Sequence, residues 1–172
     1  FMGRSGICAS CHYRNCAEMN RSLHNKFQPA ECNDRSQPCP ALLFVHGWAT
    51  DSRVWKYQLK DLTGDFTVCA VDLPGHGKMD SWYEPSTRPV VEKLLRQASN
   101  FHGKKCIGVG WSLGGQALLQ AAHSNPKAFS ALVLVGATPK FVLDETFAFG
   151  QRPGVAKRML KDLKKDFEIT MN

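Results

Sequence analysis

The sequence predicts an α/β fold: a mainly parallel sheet with helices on both faces. Three observations carry that expectation. Short apolar runs alternate with helix-period segments across residues 41–136, the pattern of consecutive βαβ units. The runs are apolar throughout, as strands covered on both faces require. The residues with chemical character stand at the carboxyl ends of those runs, where open parallel sheets bind ligands.

Each element has its own signal. Ala41 to Val45 is a continuous apolar strand that stops at His46-Gly47-Trp48. Residues 51–62 read as a helix, because Val54, Trp55, Leu59 and Leu62 recur at helical spacing and Asp51 or Ser52 can cap it. Phe66 to Val71 is a second strand, broken at Asp72-Leu73-Pro74-Gly75-His76-Gly77. Residues 86–101 form a second helix, capped by Ser86 or Thr87, with Pro89 in its first turn. Val90, Val91, Leu94, Leu95 and Ala98 line its apolar stripe. Lys105 to Val109 is the third strand, Ser112 to His123 the third helix, and Ala131 to Val135 the fourth strand. Farther on, Ala156, Met159, Leu160, Leu163 and Phe167 keep helical spacing, while Lys157, Arg158, Lys161, Lys164 and Lys165 occupy other positions. That stretch reads as an amphipathic helix with a basic face.

Composition bounds the rest. A chain of 172 residues with 43% hydrophobic and 22% charged residues has the size and balance of one globular domain. No apolar run approaches the ~20 residues that cross a bilayer, and the N-terminus lacks a signal-peptide pattern. A cytoplasmic protein without a membrane partner is the expectation. The net charge of +7 permits an acidic partner. Nucleic acid is not expected, because the basic residues are not interleaved with aromatics and form no nucleic-acid motif.

Five of the seven cysteines fall in the first 39 residues. Residues 1–39 show no sustained apolar period and read as an irregular leader. There, Cys8, Cys11, His12, Cys16 and His24 could hold zinc, although a second paired Cys-x-x-Cys is missing. Under that reading the chain would be a non-catalytic binding protein. Cys69 and Cys106 lie inside apolar runs, where cysteine behaves as a small buried hydrophobe.

Gly110-Trp111-Ser112-Leu113-Gly114 places a serine between a predicted strand and a predicted helix. A serine on a very tight strand-to-helix turn projects its hydroxyl above the sheet, and a side chain at Gly110 or Gly114 would collide there. The helix N-terminus favours negative charge developing beside that serine. Two weaker readings compete. Gly108, Gly110 and Gly114 could belong to a dinucleotide loop, but the spacing is one residue too long. Ser112 could merely cap its helix, but capping does not call for glycine on both sides. If Ser112 is a nucleophile, the backbone N–H of Leu113 is one oxyanion donor. Trp48, in the loop after the first strand, supplies the other. His46 is expected to brace that loop through its ring nitrogens rather than act as a base.

Val45-His46-Gly47-Trp48, the 71–77 segment and Gly110 to Gly115 together resemble the α/β-hydrolase family, over roughly residues 40–172. The pairing of His-Gly-Trp with Gly-Trp-Ser-Leu-Gly-Gly is most similar to that family's carboxylesterases of biotin synthesis. Their substrate is the methyl ester of a pimeloyl chain on acyl carrier protein. The resemblance implies Ser112 as nucleophile, with Trp48 and Leu113 as the oxyanion hole and substrate contacts. It implies no metal and no cofactor, a small-molecule or carrier-bound acyl ester as substrate, and acyl carrier protein as partner. Asp72 is implied to belong to a structural turn. Residues 40–140 would be the N-terminal part of the hydrolase core and 141–172 the start of a helical lid. Another enzyme of the same fold, acting on a different small ester, is the alternative.

A serine hydrolase needs a base and an acid to orient it, in the order Ser, Asp or Glu, His. The only histidine after Ser112 is His123, on the same helix and ~16 Å along its axis at 1.5 Å per residue. Asp144, Glu145, Asp162, Asp166 and Glu168 fall within the lid region. The expectation is therefore a hydrolase cut within its lid, missing its acid and base, nearly inactive alone and left with an exposed apolar sheet edge.

Overall fold

The computed structural model describes residues 39–79 and 86–166. Four parallel strands form one sheet in the order β2-β1-β3-β4: β1 Ala41–Val45, β2 Thr67–Val71, β3 Cys106–Trp111 and β4 Ala131–Val135. The helices are α1 Lys56–Leu62, α2 Arg88–Ser99, α3 Leu113–Ser124 and α4 Pro153–Lys165.

Strand alternation divides the interior into two layers. Leu43, Val45, Cys69 and Val71 pack on one face against Val90 and Leu94 of α2 and Ala117, Leu118 and Ala121 of α3. Leu42, Phe44, Val68 and Ala70 pack on the other against Trp55 and Leu59 of the α1 region. Helices therefore cover both faces, as the apolar strands required. The buried thiols share this setting. Burial pushes Cys69 up to about 11 and Cys106 up to about 12, so both are inert at neutral pH.

The helix expected over 51–62 is two pieces. Residues Ser52–Trp55 form a 3-10 turn before α1 begins. The side chain of Asp51 accepts the N–H of Arg53 at 2.9 Å, and Val54 bonds back to the carbonyl of Asp51 at 3.1 Å. Both contacts tighten this first turn beyond α geometry. The third strand also runs longer than its apolar stretch suggested. Trp111 pairs with Val135, which carries the strand to the residue before Ser112.

The far side of the sheet is open. β4 is an edge strand with Val133, Leu134 and Val135 each about two-fifths exposed or more. The expected amphipathic helix is α4, none of whose residues is buried. The cysteine and histidine set of residues 8–24 lies outside the described residues. Among the described residues no helix is long and apolar enough to cross a membrane.

Candidate active site

The site is built where β1, β2 and β3 end together. β1 and β3 are paired as Val45↔Gly110, so continuing the register lays residues 46–48 beside 111–113. Contacts bear out that proximity. A Cβ on Gly114 would lie 2.3 Å from the carbonyl oxygen of Val45 and 2.5 Å from that of His46. A Cβ on Gly47 would lie 3.0 Å from the Trp111 ring.

Ser112 sits at the crest of the bend from β3 to α3, with φ 50° and ψ −112°. Left-handed φ is costly for a residue with a Cβ, roughly 1–3 kcal/mol, and persists only where the surroundings enforce it. Here they do. A Cβ on Gly110 would lie 2.6 Å from the Cα of Gly115, so strand and helix backbones touch. The N–H of Ser112 donates to the carbonyl of Val135 at 2.9 Å, and its own carbonyl accepts the first helical bond, from Gln116, at 3.1 Å. The Ser112 side chain makes no capping bond to α3. The capping account of Ser112 is therefore set aside, and the flanking glycines are explained by helix-on-strand contact rather than by a dinucleotide loop.

Leu113 opens α3, so its N–H has no intrahelical acceptor. It stands one residue after Ser112. Trp48 lies in the loop after β1 and is 39% exposed. The carbonyl of the Gly47–Trp48 peptide is held by two donors. His46 Nδ1 lies 2.7 Å from it, and the Thr50 hydroxyl donates to it at 2.9 Å. Ala49 has φ 59°, a second left-handed residue without glycine's freedom.

His46 is fully buried and spends both ring nitrogens on backbone. Its Nε2 accepts the N–H of Leu73 at 2.9 Å. An accepting Nε2 places the ring proton on Nδ1, which donates to Gly47. Burial pushes its pKa below the usual histidine value. His76, with its ring centroid 5.2 Å away, pushes the same way, while the Gly47 bond, Asp72 and Asp51 oppose. His46 is thus a neutral brace, as the sequence indicated.

Asp72 is a structural bolt. Its Oδ1 accepts the N–H of Ser52 at 2.7 Å, and its main-chain carbonyl accepts the Lys93 ammonium at 2.7 Å. Gly77, at φ 61°, lies so near that a Cβ would meet Asp72 Oδ2 at 2.4 Å. Lys93 was missed by the sequence reading. It is buried beside Val90 and Leu94, and a lysine three residues after Val90 on that stripe was the available signal.

Ser112 lines a hollow of about 200 Å³ together with Gln116, Thr138, Phe141, Phe149 and Gln151. The 141–151 loop that forms its wall closes on itself. The Leu143 N–H donates to the Gln151 carbonyl at 2.9 Å, the Gln151 N–H donates to the Phe141 carbonyl at 2.8 Å, and Gly150 abuts the backbone of Leu143. A larger groove, about 480 Å³, lies between Arg88 of α2 and His123 of α3 and does not include Ser112.

The histidine after Ser112 stands away from it, and two of the later acids are engaged with neighbours. His123 is exposed in the last turn of α3, at the opposite end from Ser112. Asp144 binds Lys140 and Thr146, and Asp162 pairs with Arg158 at 3.6 Å. The arrangement presents a serine bordering a hollow, a helix N-terminus and a braced loop, without a base in contact with the serine among these groups.

A sequence profile of the alpha/beta hydrolase family matches residues 42–168. The chain is similar to the pimeloyl-[acyl-carrier protein] methyl ester esterase of Vibrio atlanticus, with 34% identity over 134 residues, 77% of this chain and 50% of that protein. It is 31% identical over 132 residues to the enzyme of the same name from Vibrio parahaemolyticus, again 77% of this chain and 50% of the other. Its fold is similar to that of MenH from S. aureus, with a TM-score of 0.64, 26% identity, 81% of this chain covered and 48% of that one. The chain spans about half the length of the curated relatives it matches.

Proposed function

This chain belongs to the alpha/beta hydrolase family, and from that premise we propose that it carries the nucleophile half of a carboxylic ester hydrolase. Its leading substrate is the methyl ester of a pimeloyl chain on acyl carrier protein, and its setting the cytoplasm. The single observation that carries this reading is the strained Ser112 at the β3–α3 bend, its hydroxyl not used as a cap.

In this reading Ser112 Oγ attacks the ester carbonyl carbon. The carbonyl oxygen becomes an oxyanion held by the N–H groups of Leu113 and Trp48. Methanol leaves with a proton, and water then releases the acid from the acyl-serine. The proton transfers need an Asp–His pair, which lies outside the groups described around Ser112. Similarity to esterases named for a carrier-bound methyl ester supports the substrate. The basic positions Lys157, Arg158, Lys161, Lys164 and Lys165, on or at the end of the uncovered α4, support an acidic carrier as partner.

The test uses the longest in-frame product that contains these residues. Methanol release from pimeloyl methyl ester on acyl carrier protein is expected. Cleavage of other small esters but not of this one would reassign the substrate within the family. No cleavage of any ester would defeat the hydrolase reading.

A further inference from the structure

We propose that Thr50 is a positioning residue for the oxyanion hole: its hydroxyl, together with His46, pins the Gly47 carbonyl and so fixes which way the Trp48 N–H points. The inference rests on the hydrolase reading above and adds to it a residue outside the Ser112, Leu113 and Trp48 set.

The peptide plane couples the two groups. In a trans peptide the carbonyl and the following N–H point in opposite directions. Whatever holds the Gly47 carbonyl therefore aims the Trp48 N–H the other way. Two donors converge on that carbonyl, Nδ1 of His46 at 2.7 Å and Oγ1 of Thr50 at 2.9 Å. The two donors themselves are 3.5 Å apart. His46 cannot turn away, because its Nε2 is occupied by the N–H of Leu73.

The loop needs such a restraint. Ala49 has φ 59°, so the chain after Trp48 is left-handed without glycine to make that conformation easy. Gly47 carries no Cβ to resist rotation of the same peptide, and the nearby Trp111 ring leaves no room for one. Rotation of the Gly47–Trp48 peptide by half a turn would direct a carbonyl oxygen where an oxyanion is to form. Like partial charges would then meet, and one donor would be lost. Thr50 is three residues after Gly47, the spacing at which a hydroxyl reaches back to a carbonyl in a tight turn. One net hydrogen bond biases such an equilibrium roughly five- to tenfold.

The experiment compares wild type, Thr50→Val and Thr50→Ser. Valine keeps the shape and removes the donor; serine keeps the donor. Ester hydrolysis by the longest in-frame product is expected to lose about tenfold in kcat with Thr50→Val, with KM within about twofold and the melting temperature little changed. Affinity for an alkyl boronic acid, which forms a tetrahedral adduct on serine, should fall in parallel with kcat. Thr50→Ser should restore both. A second measurement needs no turnover. In the 172-residue chain the Trp48 and Leu113 amide protons should show a nuclear Overhauser contact in wild type. It should weaken in Thr50→Val and return in Thr50→Ser. Equal kcat and boronate affinity in Thr50→Val, or an unchanged amide contact, would overturn the assignment. A wild type that cleaves no ester but whose amide contact responds to Thr50 would keep the clamp and defeat the hydrolase reading instead.

Discussion

His46 Nε2 and the backbone N–H of Leu73 meet at 2.9 Å, joining the end of β1 to the end of β2 across 27 positions of sequence. The bond exists only while Nε2 carries no proton. Burial already holds the His46 pKa below its ordinary value.

Stability should therefore depend on pH with a definite sign. Below about 6.5 the unfolded chain protonates His46 while the folded chain resists, so the unfolded state binds more protons. Folding stability then falls as pH drops from 6.5 toward the depressed native value. Urea midpoints from pH 8 to pH 5 should decline more steeply for wild type than for His46→Ala. Parallel slopes would show that the imidazole is not the titrating brace.

Gly114→Ala tests the bend. The new Cβ would sit 2.3 Å from the carbonyl oxygen of Val45, which belongs to the central sheet and cannot yield cheaply. A loss of about 1–3 kcal/mol or more is expected in chemical denaturation. Gly154→Ala is the matched control, since nothing lies within 4 Å of its Cβ position on α4. It should be neutral or slightly stabilising.

The sequence makes part of this structure legible and hides the rest, because the physics involved acts over different ranges. Ala41 to Val45 was legible because burial on both faces demands a continuous apolar run; Ala131 to Val135 matches its strand residue for residue through its β-branched and apolar run, although that strand is an exposed edge. The Ser112 bend was legible because close backbone contact permits only glycine at 110 and 114. The 3-10 turn before α1 was not, since apolar spacing does not separate it from the first turn of an α-helix. Thr50 was hidden for another reason: it acts through the Gly47 backbone carbonyl, and a carbonyl leaves no mark on residue identity. The 141–151 wall depends on main-chain bonds and contacts within a loop, with no period to read.

The basic positions of α4 should matter for one class of substrate only. Replacing Lys157, Arg158, Lys161, Lys164 and Lys165 with glutamine should raise KM for the carrier-linked methyl ester several-fold at low salt. It should leave a free methyl ester within about twofold, because only the carrier presents a charged surface. Added salt should erase the difference. Equal effects on both substrates would place the role of these charges in folding rather than in docking.

Ser112→Ala is the most direct test of the whole account. In the longest in-frame product containing these residues, ester hydrolysis should fall by about 10⁴-fold or more while the fold is kept, leaving only binding and oxyanion contributions. A serine-directed fluorophosphonate should label wild type on the peptide bearing Ser112 and leave the variant unlabelled. Hydrolysis within tenfold of wild type, or label carried by another residue, would contradict the assignment of Ser112 as nucleophile.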